Sequence, residues 1–308
     1  MTELTEQKPY DRYYALTIDP VHVGTGGYRL GRVDNAIVRE PGTNLPKIPG
    51  TSISGVARSN TAMKTGKFPR CAGKGKEEGE DVQQHCGEKN CPVCVAFGFS
   101  KKGNSFQGLA QFFDARILFF PVYSMIGPVW ITSPSVLADT GIKPGVSVSP
   151  EGFKAINREY NKPLNFGWLM LQKDATNSKE EVSFDSLGTC DVCGLIRDNA
   201  FIVSDKVFSR IVNDNLEVRT SVAIDPETGA AEDKALFTYE AIPRGTVMWF
   251  DVVYNDKTHF KIQNQSITIS NEDIQRAVLN GLQLMEHLGV GGMNTRGMGR
   301  FKVWEGRK

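Results

Sequence analysis

The sequence predicts an α+β protein with a ferredoxin-like core, and three observations support that fold class. Four segments have the composition and alternation of strands, and two have the apolar spacing of amphipathic helices. In chain order these six elements read β-α-β, then a long intervening stretch, then β-α-β, which is the split pattern of that fold. The 308 residues, 40% of them hydrophobic, are enough to bury a sizeable core.

The first half of the pattern is a strand, a helix and a second strand. Arg12 to Asp19 alternates as a half-buried strand does. Ser52 is a candidate N-cap for a helix that runs to about Lys64, with apolar residues recurring on one face. The stretch from Leu109 to Phe120 contains the second strand.

The second half repeats the order strand, helix, strand. Thr246 to Tyr254 is rich in β-branched and aromatic residues, and Phe301 to Trp304 forms a short final strand. Between them, Glu272 to Leu288 has the most regular helical spacing in the chain. Its apolar stripe consists of Ile274, Val278, Leu282 and Met285.

Long segments interrupt this order and exceed ordinary loop lengths, so we expect them to have functions of their own. Residues 66–93 are polar and aperiodic, and residues 140–190 are turn-rich and poorly periodic. Around the turn Asp225-Pro-Glu-Thr-Gly229, the stretch from Arg210 to Tyr239 has strand-like runs that predict a β-hairpin. The expected organisation is a single domain over 1–308, with core segments at about 12–65, 95–135 and 240–304, insertions at 66–94 and 140–200, and the hairpin at about 205–240.

The charge of the chain restricts its partners. The net charge is only +1, whereas nucleic-acid-binding proteins usually have a basic excess, so any basic surface must be local. The polar stretch from Met1 to Tyr10 lacks the apolar run of a signal peptide. No run approaches the roughly 20 apolar residues of a membrane span. We therefore expect a cytoplasmic protein with no membrane partner.

Four of the six cysteines have the spacing of a metal site. Cys91 and Cys94 form a C-x-x-C pair, and Cys71 and Cys86 complete four ligands within 24 residues. In a secreted chain such cysteines would suggest disulfides, but in a cytosolic chain they suggest a metal. The expected ion is a structural zinc with tetrahedral coordination. His85 is an alternative ligand, and free thiols in a polar loop are the other interpretation.

The remaining cysteines, Cys190 and Cys193, form a second C-x-x-C pair about 100 residues further on. Two ligands cannot close a tetrahedral site, so this pair binds metal only if it joins the first cluster. The sequence leaves that alternative open.

A glycine-rich loop, Gly289-Val-Gly-Gly-Met-Asn-Thr-Arg-Gly-Met-Gly299, separates the last helix from the last strand. Glycine costs backbone entropy, so five glycines in eleven residues need a reason. A backbone without Cβ atoms can approach a polyanion closely and direct N–H groups towards it. A tight connection without a ligand is the alternative. The candidate contacts are Gly291, Gly292, Thr295, Arg296 and Gly297.

Several motifs resemble those of RAMP-superfamily CRISPR proteins. Three lie near the N-terminus: His22-Val-Gly-Thr-Gly, Asp34, and Pro46-Lys-Ile-Pro-Gly-Thr-Ser-Ile-Ser-Gly-Val-Ala-Arg58. Cys91-Pro-Val-Cys-Val-Ala-Phe-Gly98 resembles the C-x-x-C-x-x-F-G element of many members. Two further stretches resemble the repeating backbone subunit of the type III-B (Cmr) effector complex. These are Phe119-Phe-Pro-Val-Tyr-Ser-Met-Ile-Gly-Pro-Val-Trp-Ile-Thr-Ser-Pro134 and Glu217-Val-Arg-Thr-Ser-Val-Ala-Ile-Asp-Pro-Glu-Thr-Gly229.

The resemblance implies a subunit that stacks in copies, as a filament, along a guide RNA (crRNA). Its partners would be guide and target RNA, copies of itself and other CRISPR effector subunits. A thumb-like hairpin would displace a base pair of the guide–target duplex at regular intervals. An Asp beside each displaced position would cut the target RNA, with a divalent cation (Mg or Mn) required.

The resemblance places the catalytic residue at Asp34, in the loop Leu30-Gly-Arg-Val-Asp-Asn35. A carboxylate there would deprotonate the 2′-OH or hold a metal ion that does so. An Asp that caps a turn is the structural alternative. His22 is a possible assistant, as an acid or a phosphate contact, or else a structural histidine bonded to the backbone.

The resemblance also implies that the first helix follows the guide backbone. Helix N-termini attract anions, and Arg makes bidentate phosphate contacts. Lys47, Ser52, Ser54 and Arg58 are then candidate RNA contacts. The family often has Lys at the position of Ser54, so this chain has one positive charge fewer there. A capped amphipathic helix with an exposed Arg is the alternative.

Three functions remain open from the sequence. They are a catalytic backbone subunit of a type III complex, a non-catalytic RNA-binding backbone subunit of a related assembly, and a stand-alone endonuclease that processes precursor guide RNA. The third would have a histidine-centred site, and only four histidines are present. Asp34 distinguishes the first function from the second.

Overall fold

The computed structural model describes residues 10–26, 33–73, 85–101, 103–175, 179–188, 192–231 and 236–307. Eighteen strands and seven α-helices lie within these ranges. The strands are β1 (Tyr10–Thr17), β2 (Lys47–Ile48), β3 (Phe99–Lys101), β4 (Asn104–Phe106), β5 (Ala110–Phe112), β6 (Ala115–Ser124), β7 (Gly127–Thr132), β8 (Gly152–Ile156), β9 (Leu164–Phe166), β10 (Leu169–Lys173), β11 (Lys179–Glu180), β12 (Ala200–Val203), β13 (Glu217–Ser221), β14 (Phe237–Ala241), β15 (Val247–Tyr254), β16 (Lys261–Ile262), β17 (Gln265–Ser266) and β18 (Phe301–Glu305). The helices are α1 (Gly50–Lys64), α2 (Pro92–Phe97), α3 (Pro134–Thr140), α4 (Cys193–Asn199), α5 (Asp205–Asp214), α6 (Asn271–Gln283) and α7 (Met285–Leu288). None of the helices in these ranges has both the length and the apolar composition to cross a membrane.

One large mixed sheet organises the protein, so the predicted mixture of helices and strands in one fold is confirmed. Its strand order is β18-β1-β15-β6-β7-β12-β8-β10-β9. Three short strands join it at the side: β2 pairs with β6, β5 with β15, and β11 with β8. The neighbours from β18 to β6 are all antiparallel. Farther along, β12 pairs parallel with β7, and β10 pairs parallel with β8.

The six predicted core elements are present as β1, α1, β6, β15, α6 and β18, with boundaries shifted by a few residues. The largest difference concerns the last predicted helix, which is divided at Leu284 into α6 and α7. Ser270 caps the start of α6 by accepting a hydrogen bond from the Asp273 N–H at 3.0 Å.

The start of α1 differs from the prediction, because Ser52 is not its N-cap. The helix begins at Gly50, with Pro49 at the N-cap position. The Gly50 N–H instead donates to the Asp114 carboxylate at 2.8 Å. A Cβ at Gly50 would lie 2.3 Å from the Phe112 carbonyl oxygen, so only glycine fits there. A side chain from a distant turn therefore replaces the local cap.

Helices α1 and α6 pack closely against one another. A Cβ at Gly281 would lie 2.3 Å from the Ala57 carbonyl oxygen, so glycine permits this approach. Two side chains of α1 bond to the α6 backbone: Asn60 donates to the Gly281 carbonyl at 3.0 Å and Thr61 to the Ala277 carbonyl at 2.9 Å. Buried polar groups that are fully paired fix how the two helices lie together.

The segment 140–200, predicted as a turn-rich insertion, contributes β8, β9, β10 and β11 to the main sheet. All five residues of β8 are buried, and so are all four of the neighbouring strand β12. A strand that is covered on both faces does not alternate between polar and apolar residues, so the two-residue period that marks a strand is missing from its sequence.

The predicted hairpin is present but shorter than predicted. Residues 205–214, which the prediction included, form helix α5 instead. The strands β13 and β14 pair antiparallel from Glu217↔Ala241 to Ser221↔Phe237. The turn is closed by Gly229, whose N–H donates to the Asp225 carbonyl at 2.8 Å. We call β13, β14 and the residues between them the thumb hairpin; residues 232–235 are outside the described ranges.

Candidate functional site

Asp34 is an exposed carboxylate attached to strand β14 of the thumb hairpin. The Thr238 backbone N–H and hydroxyl donate to Asp34 Oδ2 at 2.7 and 2.8 Å. The Asn35 N–H also donates to the Thr238 carbonyl, at 3.0 Å. The two bonds from Thr238 to the carboxylate, the backbone one first, lower the pKa of Asp34 below its ordinary value of 3.8. Asp34 is therefore ionised at neutral pH.

His22 is bonded to the same strand at Glu240, two residues beyond Thr238. Its Nδ1 is 2.6 Å from the Glu240 carbonyl oxygen. A carbonyl only accepts, so Nδ1 carries the proton, and in the neutral ring Nε2 is an acceptor. A Cβ at Gly24 would lie 3.1 Å from His22 Nε2, so this glycine leaves room beside that nitrogen. The backbone bond is the one expected of a structural histidine, and it also fixes the direction of Nε2.

The glycine-rich loop packs against His22. The Gly292 N–H donates to the His22 carbonyl at 2.8 Å. Gly291 has φ +83°, and a Cβ there would lie 2.4 Å from that carbonyl oxygen, so only glycine is compatible with this contact. The structural alternative therefore accounts for Gly291 without a ligand.

The remaining candidates in this loop point outwards. Thr295, Arg296 and Gly297 are exposed. Residues 294–296 form one turn of 3₁₀-helix. The Arg296 guanidinium lies 5.9 Å from the centre of the Phe237 ring, at the start of β14. Met298, on the same loop, packs with Tyr239 in a small apolar cluster.

Strand β14 thus brings together three features that are far apart in the sequence. Asp34 is bonded to it at Thr238, His22 at Glu240, and the glycine-rich loop packs on it at Tyr239. The Glu240 side chain is buried and forms an ion pair with Arg39. The sequence alone does not indicate four of these partners: Thr238, Tyr239, Glu240 and Arg39. Isolated residues of these types do not form a recognisable motif.

The structure gives Lys47 partners inside the chain. Its Nζ lies 2.7 Å from Asp114 and 3.0 Å from Glu40, and these carboxylates raise the pKa of Lys47. Asp114 also bonds the first N–H of α1, so a carboxylate already lies at this helix N-terminus. Ser52 and Ser54 are half-buried on the first turns of the helix.

Arg58 also points into the protein rather than outwards. Its Nε donates to the Cys71 carbonyl and its Nη2 to the Gly98 carbonyl, both at 2.8 Å. Nη2 lies 3.1 Å from Nδ1 of His85. The alternative of a helix with an exposed Arg is thus wrong, because the insertion that carries the cysteines covers this residue.

Cys71, Cys86, Cys91 and Cys94 form one buried cluster that can bind a structural metal. Three sulfur–sulfur distances are 3.6 to 3.7 Å, and all four sulfurs lie within 4.8 Å of one another. Burial raises the pKa of Cys86 to about 11, whereas a hydrogen bond from the Cys94 thiol lowers that of Cys91 to about 5.

His85, the alternative ligand, is not among the residues that the structure brings to this cluster; it contacts Arg58 instead. Cys193 opens α4 and is outside the cluster, and Cys190 lies beyond the described residues.

Comparison with known proteins identifies the family. The model of the RAMP superfamily matches residues 14–302. The chain is 27% identical over 303 residues to the CRISPR system Cmr endoribonuclease Cmr4 of Pyrococcus furiosus, which covers 93% of this chain and 92% of that relative.

Solved structures agree at the level of the fold. A cryo-EM structure of type III-B Cmr-beta in the apo state has a TM-score of 0.62 and 16% identity, over 96% of each chain. The crystal structure of oligomeric Cmr4 from Pyrococcus furiosus has a TM-score of 0.59 and 18% identity, over 96% of this chain and 98% of that one. Since the family model spans nearly the whole sequence, the chain belongs to the RAMP superfamily.

Proposed function

We propose that this chain is the backbone subunit of a type III-B CRISPR effector complex, in which it cleaves target RNA as an endoribonuclease. The observation that carries the proposal is the exposed Asp34 carboxylate, held on the thumb hairpin beside the glycine-rich loop. Similarity to a Cmr endoribonuclease along 93% of the chain supports the same function.

The chemistry is a transesterification within the RNA. The 2′-oxygen forms a bond to the adjacent phosphorus, the bond from phosphorus to the 5′-oxygen breaks, the 2′-OH loses its proton and the 5′-oxygen gains one. A carboxylate with a lowered pKa is a weak base at neutral pH. The role of Asp34 is therefore to orient the 2′-OH and to provide negative charge for a cation.

A divalent cation, Mg or Mn, would neutralise charge on the phosphate and lower the pKa of the attacking hydroxyl. In the part of the chain that the structure describes, only the cysteine cluster groups enough ligands to enclose an ion. Asp34 would therefore be the one protein carboxylate for this cation, with RNA oxygens and water as the other ligands, which is the usual way that proteins hold Mg²⁺ with a phosphate substrate.

Guide and target RNA are bound mainly through their phosphates. The exposed loop residues Thr295, Arg296 and Gly297 are the best candidates, because they lie beside the hairpin to which Asp34 is bonded. Gly291 and Gly292 bring the loop backbone close to this surface. Lys47, Ser52 and Ser54 form a secondary candidate surface, weakened by the Asp114 carboxylate. Contacts of this kind are independent of base sequence and sensitive to salt.

The thumb hairpin is the element that unstacks a base. Its exposed apolar side chains are Val218, Val222, Ile224 and Leu236. Apolar wedges of this kind separate stacked bases at an acceptable cost in other nucleic-acid complexes. A distorted phosphodiester beside Asp34 would then adopt the in-line geometry that attack by the 2′-OH requires.

Assembly into a filament with copies of itself and with other effector subunits uses a second apolar surface. We call this surface the Trp168 patch: Tyr123, Met125, Ile126, Trp168 and Met170, all exposed. Trp168 is 95% exposed. These residues lie on the β6–β7 and β9–β10 hairpins, which two hydrogen bonds join. The Gly167 N–H donates to the Tyr123 carbonyl, and the Met125 N–H donates to the Asn165 side chain. Exposed clusters with a tryptophan at their centre are typical of protein interfaces.

The core is inferred to be a ferredoxin-like unit made of β1, α1, β6, β15, α6 and β18. Support comes from the strand order β18-β1-β15-β6 with all neighbours antiparallel, as in that fold. Helices α1 and α6 are its two crossover helices.

The cysteine cluster is inferred to bind one structural zinc ion. A tetrahedron with Zn–S distances of about 2.3 Å has sulfur–sulfur edges of about 3.8 Å. The observed 3.6 to 3.7 Å distances fit these edges without rearrangement. The ion would join residues 71 and 86–94 and hold that insertion against α1.

The experiment for the cleavage chemistry uses target RNA with deoxyribose at the cut positions. The complex assembled with guide RNA should cut all-ribose target into fragments that end in a 2′,3′-cyclic phosphate, and it should leave the deoxyribose positions intact. Cleavage at a deoxyribose position would mean that water is the nucleophile and that the chemistry proposed here is wrong.

A further inference from the structure

Arg58 is a half-buried cation whose hydrogen-bond partners are all neutral. It donates to the carbonyls of Cys71 and Gly98, and its third neighbour is the His85 ring. Among the described residues, no Asp or Glu forms an ion pair with it. A guanidinium taken out of water without an anion is costly, and carbonyl oxygens offset that cost only in part.

The two carbonyls that Arg58 bonds belong to Cys71 and to Gly98, which directly follows the helix that contains Cys94. Negative charge on Cys94, Cys71 or Cys91 would therefore stabilise the guanidinium. The Cys86 and Cys94 sulfurs also accept backbone hydrogen bonds, from Glu88 and Gly87 respectively. Four neutral thiols would provide no anion for Arg58, whereas four thiolates around a divalent ion have a net charge of −2.

Other charges near the cluster do not replace Arg58. Lys67 interacts electrostatically with the cysteines, but it is only half-buried and lies 3.7 Å from the exposed Glu88 carboxylate, which shares its charge. Water screens ion pairs that are this accessible. Arg58, in contrast, is hydrogen-bonded directly to the two segments that contain the cysteines. It bonds to the carbonyl of Cys71 and to the carbonyl of Gly98, which follows α2.

We propose that Arg58 is the positioning residue and counter-charge of a tetrathiolate metal centre, and not a contact to RNA. The proposal rests on the zinc site of the proposed function. The guanidinium neutralises half of the excess charge, and its two carbonyl bonds tie both metal-binding segments to α1. Changes in the partners that surround metal ligands typically weaken metal binding about 10- to 100-fold.

The experiment measures zinc affinity of the full chain by competition with a chromogenic chelator. Arg58→Met removes charge and hydrogen bonds, whereas Arg58→Lys keeps the charge. Lys64→Met is the matched control, because Lys64 lies on the same helix, is exposed and bonds to Asn280. We expect about 10- to 100-fold weaker zinc binding for Arg58→Met, a smaller loss for Arg58→Lys and no change for the control.

Equal affinity of wild type and Arg58→Met would overturn the proposal, and so would equal losses in Arg58→Met and Arg58→Lys, because the charge would then be irrelevant. If Arg58→Met does not fold, the comparison of Arg58→Lys with wild type decides: a loss of more than about 10-fold contradicts the charge assignment. Wild-type protein without any zinc would instead contradict the zinc site itself.

The same variants test the RNA interpretation of Arg58. Arg58→Met protein reloaded with zinc should bind guide RNA as tightly as wild type. Weaker RNA binding at full zinc occupancy would overturn the proposal and restore the interpretation drawn from the sequence.

Discussion

Thr238 donates both its backbone N–H and its hydroxyl to one oxygen of Asp34, at 2.7 and 2.8 Å. The two residues are 204 positions apart, and Thr238 belongs to the strand of the thumb hairpin that leads back to the core. The position of the proposed catalytic carboxylate is therefore coupled to the position of the hairpin. A hairpin displaced from the duplex would move Asp34 as well.

The first prediction concerns this coupling. Thr238→Val removes the hydroxyl bond, keeps the backbone bond and should slow target cleavage about tenfold, since one hydrogen bond to a charged group is lost. Single-turnover cleavage measures this effect. Thr220→Val is the control, because Thr220 is the exposed cross-strand partner of Thr238. Equal rates for the two variants would show that the hydroxyl does not position Asp34.

The pH dependence of the same bond gives the second prediction. The pKa of Asp34 is lowered in the folded protein, so its bonds stabilise the fold above the ordinary value of 3.8 and are lost as pH falls through the lowered pKa. Thr238→Val should raise the pKa of Asp34 towards 3.8, which an NMR titration of the carboxyl carbon would detect. An unchanged titration would contradict the bonding seen here.

The third prediction tests the glycine-rich loop. Arg296→Glu should weaken binding to RNA of any sequence and reduce the slope of log K against log salt by about one unit, as expected for the loss of one phosphate contact. Arg276→Glu, on the exposed face of α6, should have little effect. Fluorescence anisotropy over a series of salt concentrations measures both. An unchanged salt slope for Arg296→Glu would exclude the loop from the RNA surface.

The fourth prediction concerns the metal. The purified chain should contain about one zinc ion, and Cys91→Ser combined with Cys94→Ser should lose it and melt at a lower temperature. Cys190→Ser combined with Cys193→Ser should retain zinc, because Cys193 lies outside the cluster. Elemental analysis of the zinc content distinguishes these outcomes. Loss of zinc only in the variant with Cys190→Ser and Cys193→Ser would contradict the assignment of ligands.

The Trp168 patch gives the fifth prediction. Trp168→Ser should leave the monomer as stable as wild type, since the side chain is exposed, but should shorten assemblies on guide RNA. Leu195→Ser, which alters another exposed apolar residue, is the control. Analytical ultracentrifugation with guide RNA measures assembly size. Full-length assemblies of Trp168→Ser would show that copies meet elsewhere.

The sequence was informative where a residue's neighbours are close in the chain. The strands β1 and β15 and the helix α6 were predictable from local alternation and spacing, and the four cysteines from their separation. The strand β8 in the segment 140–200 and the strand β12 that follows this segment were not, because they are buried on both faces and lose the alternation that marks a strand.

Contacts between distant residues were beyond the sequence. The sequence around Arg58 does not indicate that the insertion with the cysteines folds over this residue. An arginine at this position was therefore equally compatible with a contact to an RNA phosphate. Thr238 belongs to no motif, and it is the pairing of the Asp34–Asn35 segment with β14 that brings it to Asp34. The resemblance identified Asp34 without its partners, and the fold provides those partners.

The catalytic role of Asp34 is tested by a complex that contains Asp34→Ala. The complex is assembled with guide RNA, and both binding and cleavage of complementary target RNA are measured. We expect target affinity equal to wild type and no cleavage at the regularly spaced sites. Cleavage at the wild-type rate by the Asp34→Ala complex would show that this chain is a scaffold and that the nuclease is another subunit.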